Sequence, residues 1–437
     1  MENGEFIKLI NLLRPGAKVA DRRTMGGRLL DQAHLEEIAK VRQQLVGRNV
    51  SLAIDGWTTV SCEPVLGMAK CCDGLSYLVD SVDTTGHPHT IEKMAALVPP
   101  LLNKAEDTFG VKVVAVCTDN ASNMKGLREE LRKINPVLAV YGCQAHFLNL
   151  LSHDLTRDQQ PTLAKVLEIF KFLRNNHQAH ALLQNMNIPH PPLPAPTRWS
   201  TVRDSLAYFN RHWGNLNEIC ARLLKPGDHL RSFMENVALR RVTEELLLQQ
   251  ESVAEALAKM QSDEATLADA VEIWLDLLAR FPAAFKKQHQ LATERSKDCL
   301  EDGVFLAANL LHHKFGGCRL NEAQLVAART QVESACGDHA SLAHLLSRDP
   351  PFRTADFALD VPSSTWWRAG LRSGYPAGLA DLGLRLASAV PTTANNGSAG
   401  LERQFSRLRQ TYGLLRGRLG VEKCGKPGLL FLLLNKD

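Results

Sequence analysis

Apolar residues crowd the start of the chain, where Phe6, Ile7, Leu9, Ile10, Leu12 and Leu13 share a face before a turn at Pro15-Gly16, so residues 1–46 read as helical. Then the period changes. Residues 50–54 (VSLAI), 64–72 (PVLGMAKCC) and 75–82 (LSYLVDSV) read as three successive strands, with Asp73-Gly74 suited to a hairpin between the last two. A helix follows over about 90–109, which Pro99-Pro100 is expected to kink or split. Residues 111–118 (VKVVAVCT) form a continuous apolar run, the pattern of a strand covered on both faces. A helix at 122–133, a short strand at 137–142 and a helix from about 143 to 155 complete the order strand-strand-strand-helix-strand-helix-strand-helix. That order predicts an α/β fold with a mixed sheet.

Beyond residue 155 the character shifts. The stretch 188–196 (IPHPPLPAP) is too rich in proline for helix or interior strand and reads as a stiff connector. Helical periodicity dominates the long region after it, most clearly over 241–260 and 269–281. The expected organisation is an N-terminal helical segment (1–48), the first part of an α/β core (49–157), a helical insertion (158–390) and a C-terminal segment (391–437) that completes the core.

With 437 residues, 45% of them hydrophobic, there is material for a sizeable core and two or three structural units. A net charge of +4 is only mildly basic, so any nucleic-acid surface has to come from local clusters. Arg22, Arg23 and Arg28 form one; Arg403, Arg407, Arg409, Arg416 and Arg418 form a denser one, which reads equally as a solvated helix face. The ten cysteines lack regular spacing, no signal-peptide pattern opens the chain and no apolar run approaches the length of a membrane span, so a soluble, reduced protein without a membrane partner is expected.

Three acids carry the candidate chemistry: Asp55 in LAIDGWTT, Asp119 in VVAVCTDNASNM and Glu402 in SAGLERQFSRL. The first two interrupt or end apolar strand-like runs, so a sheet could bring them together. Carboxylates gathered in one place repel one another unless cations lie between them, and divalent ions held that way support attack at phosphorus. Asp119 also has a plainer reading as a turn or helix cap before Ala121-Ser122, and Glu402 as part of an ordinary surface helix. Cys143 and His146 in YGCQAHFLNLL have the spacing of a zinc half-site but lack two further ligands at an obvious distance; a buried cysteine and a hydrogen-bonded histidine explain them as well. No Gly-x-Ser-x-Gly turn or phosphate-binding P-loop is present, which sets aside hydrolase and nucleotide readings.

Six blocks in one order, RPGAKVADRRTMGGRLLD (14–31), LAIDGWTT (52–59), VCTDNASNM (116–124), YGCQAHFLNLL (141–151), TRWS (197–200) and the WW…LERQFSRL region (366–408), resemble the hAT superfamily of DNA transposases, of hobo and Activator type. The resemblance implies a ribonuclease H-like sheet interrupted by a large all-α insertion. In it the first strand is central with the fourth beside it, so their acids open at one mouth. It further implies metal-dependent DNA strand cleavage and transfer by Asp55, Asp119 and Glu402, two Mg2+ ions as cofactors, DNA as partner, a homo-oligomer formed through the C-terminal region, and residence in the nucleus. Arg198 and Trp199 would contact phosphate and an exposed base, although a tryptophan there also serves as a core anchor. Arg403 and Arg407 would bind DNA beside Glu402, while Trp57, Cys143 and His146 would support the pocket. The alternative is a domesticated, non-catalytic DNA-associated or protein-interaction factor that keeps the fold, because no Cys-x-x-Cys with following histidines, the mark of a BED finger, precedes residue 50.

Overall fold

The computed structural model describes residues 3–58, 64–72, 75–83, 90–194, 201–281 and 285–393. Helices dominate, and they accompany one five-stranded sheet. Its strands are β1 (Asn49–Thr58), β2 (Pro64–Cys72), β3 (Leu75–Asp83), β4 (Lys112–Thr118) and β5 (Ala139–Gly142), in the spatial order β3-β2-β1-β4-β5. The first three form an antiparallel meander, while β1, β4 and β5 run parallel. The five strands thus fall where the apolar runs place them, and the sheet is mixed.

Contacts divide the chain into two compact units. The first takes residues 1–143, 261–269 and 303–437; the second takes 144–260 and 270–302. The expected insertion at 158–390 therefore has a different outline: from Gly303 onward the helices belong with the sheet.

Alternation along β1 explains the first unit. Val50, Leu52 and Ile54 are fully buried in a cluster with Val41 and Leu45 of the helix Leu30–Leu45, with Met94, Val98 and Leu101 of the helix Ile91–Phe109, and with Leu127 and Leu131 of the helix Ser122–Ile134. One face is accounted for. Ser51 and Ala53, also buried, point to the other, where Tyr141 of β5 meets Phe305 of the helix Gly303–Leu310 edge-on with ring centroids 5.1 Å apart. The helix Ala377–Ala387 lies against the same unit, and Arg385 donates to the carbonyl of Val137. Helices thus cover both faces.

Pro99 and Pro100 do not split their helix, which runs unbroken from Ile91 to Phe109. Each proline lacks a donor and should cost helix stability, but Met94, Val98, Leu101, Ala105 and Phe109 are all buried on one side, and that packing holds the axis across the gap. At the N-terminus, Gly16 takes a positive φ of 82° in the turn read from Pro15-Gly16.

The second unit is all helical. The helices Gln160–Asn175, His177–Asn185, Thr201–Leu223, His229–Met234 and Val237–Met260 contribute to a core built on Ile169, Phe170, Leu173, Phe209, Leu216 and Ile219. The helix Gln144–Thr156 joins it, with Ser152 donating to Gln250 at 2.6 Å and Gln144 accepting from the indole of Trp274 at 3.0 Å. Among the described residues no helix is long and apolar enough to cross a membrane.

Candidate functional site

The two strands that carry Asp55 and Asp119 are direct neighbours. Their parallel register runs Ser51 with Ala115, Leu52 with Val116, Ala53 with Cys117 and Ile54 with Thr118. The ladder ends there: Asp55 is the next residue of β1 and Asp119 the first residue after β4, and adjacent strands lie about 4.8 Å apart. Alternation assigns Asp55 to the face of Ser51 and Ala53, opposite Ile54. It carries Asp119 to the face of Ala115 and Cys117.

Both carboxylates are partly exposed and locally anchored. An oxygen of Asp55 accepts the N–H of Gly56 at 2.9 Å, and an oxygen of Asp119 accepts the N–H of Ala121 at 2.9 Å. The second bond is an Asx turn that leads into the helix Ser122–Ile134, so the plain reading of Asp119 as a turn residue holds for that oxygen. Turn and site roles coexist, because a turn fixes where the carboxylate points.

Behind Asp119 stands Arg128, only 5% exposed, which donates to the hydroxyl of Thr118 and to the carbonyl of Asp119, each at 2.8 Å. Nothing in LREELRK marks this arginine as buried, and charge-based reading treats it as a solvated face. Asn120 then ties the loop after β4 to the end of β5 by donating to the carbonyl of Cys143 at 2.9 Å. Gly142 lets it pass: a Cβ there would stand 2.1 Å from the Asn120 side-chain oxygen. The Cys143 N–H donates to the Thr118 carbonyl at 2.8 Å, which closes the rim of the sheet.

Cys143 is fully buried. Burial pushes its thiol up, but hydrogen bonds with Cys117, Thr392 and Thr393 outweigh this and lower it to about 5. Those partners reveal a feature that no motif signals: residues 388–393 form a strap across the face that Asp55 and Asp119 share. Ser51 donates from its hydroxyl to the carbonyl of Ser388 at 3.0 Å and accepts the N–H of Val390 at 3.2 Å. Tyr141 donates to the carbonyl of Val390 at 2.8 Å. Cys143 lies 3.3 Å from the Thr392 hydroxyl and accepts the N–H of Thr393 at 3.4 Å. The strap thus steps from β1 over β5 to the carboxyl ends of the parallel strands.

The remaining expected site residues separate. His146 is half-buried in the first turn of the helix Gln144–Thr156. Trp57 belongs to β1, paired with Val65, and its side chain lies outside the described residues. Glu402, Arg198, Trp199, Arg403 and Arg407 also lie outside them. Among the described residues no group of three or more His, Cys, Asp or Glu side chains is arranged to hold a metal ion.

In sequence, residues 22–172 match a family model described as a domain of unknown function, DUF659. The match takes in β1 to β5 and both aspartates. No curated protein matches the chain.

Proposed function

We propose that this protein is a hAT-type DNA transposase, or a descendant of one, that cuts one DNA strand at an element end and joins the released 3′-hydroxyl to another phosphodiester. The observation that carries the reading is the parallel register of β1 and β4, which ends at Ile54–Thr118, each one residue before an aspartate. The sheet order β3-β2-β1-β4-β5 supports it, because a central first strand with the fourth beside it is the arrangement of ribonuclease H-like nucleases. DUF659 supports it too, as a domain found in transposase-related families.

The donor set suits magnesium, since hard carboxylate oxygens at an open sheet edge leave positions for substrate. Asp55, Asp119 and Glu402 would hold the ions; when bound, these would supply Lewis-acid stabilisation at phosphorus and make water acidic enough to attack. The chain's own contribution is placement. Arg128 and the Asx turn at Ala121 fix Asp119, Gly56 orients Asp55, and the strap brings the chain to the same rim before Glu402. By the same reading the protein is nuclear and oligomeric through its C-terminal region.

The deciding experiment is magnesium-dependent nicking of a duplex that carries the inverted repeats flanking the encoding locus. Nicking by the wild type that disappears in Asp55→Asn and Asp119→Asn is the expected result. Duplex binding without nicking would sink the catalytic reading and assign the chain to the domesticated, non-catalytic class.

A further inference from the structure

Between the first helix, Gly4–Leu13, and the helix Leu30–Leu45 lies a cationic stretch in which Arg14, Lys18, Arg23 and Arg28 are all exposed. Among the described residues none of the four has a carboxylate partner. The one acid between them, Asp21, is engaged locally: its carboxylate accepts the Thr24 N–H at 2.7 Å, and that bond holds it below the usual carboxylate range. Exposed arginines on the helices of the second unit are neutralised instead. Arg222, Arg231 and Arg240 each pair with a glutamate one helical turn away, at 2.5, 2.8 and 2.9 Å. Four open cations of one sign repel one another and attract an extended polyanion.

The backbone of the stretch is uncovered as well. Met25–Leu29 is a π turn bent at Gly27, and a Cβ at Gly16, Gly26 or Gly27 would meet no neighbouring atom within 4 Å. Glycines placed between arginines let a phosphate come close to the chain while the guanidinium forks reach its oxygens. The stretch is also firmly held. It leads into the helix Leu30–Leu45, whose Val41 and Leu45 are buried in the core under β1 and whose Arg42 donates to the carbonyls of Asp107 and Thr108 at 2.6 and 2.9 Å.

We infer that Arg14, Lys18, Arg23 and Arg28 form a phosphate-contacting surface that seats duplex DNA by its backbone without reading its sequence. The inference rests on the DNA-directed reading above for its partner and adds a contact surface to it. An anionic membrane fits less well. A helix lying in a bilayer surface carries its cations on its own polar face, whereas the apolar helix Gly4–Leu13 has a single lysine, paired with Glu5 at 2.9 Å, and the open cations begin only at Arg14.

The test uses the full chain and a duplex of random sequence, with binding followed by fluorescence anisotropy across a salt series. Magnesium-dependent nicking of the element-end duplex and co-sedimentation with vesicles of phosphatidylserine and phosphatidylcholine are measured on the same preparations. The fourfold variant Arg14→Gln, Lys18→Gln, Arg23→Gln, Arg28→Gln should lower the slope of log affinity against log salt by about 3–4, since each phosphate contact contributes about 0.9. Single exchanges should each remove about 0.9, so the test does not depend on the fourfold variant folding. Replacing the three arginines by lysine keeps their charge and should leave most of the slope in place. A fourfold variant with the wild-type slope, or a wild type that binds no duplex, would overturn the surface. Vesicle binding that the four exchanges abolish, with duplex binding untouched, would overturn it in favour of a membrane. A wild type that binds with a steep salt slope but never nicks loses the transposase reading and keeps this surface. One that nicks while the fourfold variant binds equally well keeps that reading and loses the surface.

Discussion

Ile54 on β1 stands directly across from Thr118 on β4 in a parallel ladder, one step short of the two aspartates. Since a carboxylate that shares ions with its neighbour acts as part of a pair, replacing either one should have the same effect. Asp55→Asn and Asp119→Asn should each weaken Mg2+ binding by about tenfold or more and remove nicking, with far-UV circular dichroism unchanged. A variant that nicks at the wild-type rate would end the paired-acid account.

Arg128 carries a different expectation, one of stability. Arg128→Met removes the donor to the buried Thr118 hydroxyl and one of the two donors to the Asp119 carbonyl, which keeps the Thr118 hydroxyl at 2.9 Å; the loss should cost about 1–3 kcal/mol. Urea unfolding measures this directly. Arg128→Lys should recover part of the loss, because a lysine keeps the charge and a donor but not the planar guanidinium that places Nη1 between the two oxygens.

Two glycines in helices should respond with opposite signs to alanine. At Gly383 a Cβ would stand 2.2 Å from the ring of the buried Trp367, so Gly383→Ala should destabilise by about 1–3 kcal/mol. At the exposed Gly214, inside the helix Thr201–Leu223, nothing lies within 4 Å, and Gly214→Ala should stabilise by about 0.5–1 kcal/mol. Equal shifts in the two melting midpoints would contradict the packing described here.

Acid should weaken the fold through His312. This half-buried imidazole stacks on Phe315 with centroids 4.1 Å apart, and burial, with His313 and Lys314 adding positive charge, holds it down to about 3 from an ordinary 6.5. Between those values the unfolded chain takes up a proton that the folded chain refuses, so stability rises with pH across the window and is lost as pH falls through it. The urea midpoint should therefore drop from pH 7 to pH 4, and His312→Gln should flatten that drop. An identical pH dependence in the variant would remove His312 from the account.

Duplex DNA binding should be weak, indifferent to sequence and sensitive to salt, with Arg198, Arg403 and Arg407 as phosphate contacts. The net charge of +4 provides no broad field to add to them. Filter binding on matched and scrambled ends at two salt concentrations reads this out. A salt-resistant preference for one sequence would reveal a recognition element outside these arginines.

The strands were legible because they depend on local rules, alternation along 50–54 and an unbroken apolar run over 111–118, whereas the expectation that β4 lies beside β1 came from the family resemblance. What stayed hidden depends on partners far away in sequence. Ser51 looks like a polar interruption in an apolar strand until Val390 is seen to donate to it, and Cys143 looks like half of a zinc site until Thr392 and Thr393 lie over it. The continuous helix through Pro99 and Pro100 escaped for a related reason, since packing on the sheet overrides what the prolines disfavour locally. The helices after Gly303 carry the same amphipathic period as those of the second unit, and periodicity does not say which core an apolar stripe will join.

Ser51 and Ser388 are 337 residues apart in the chain. A ribosome adding about 5–20 residues per second leaves β1 waiting roughly 20–70 s for the strap that covers it. Until Phe305 emerges the second face of the sheet, with Tyr141 and the Cys117–Cys143 pair, lacks that cover, and until residue 390 emerges it lacks the strap, while the all-helical unit is encoded wholly within the wait. Newly made protein is therefore most exposed to aggregation before residue 390 leaves the exit tunnel, and slow synthesis should tax it more than slow folding does.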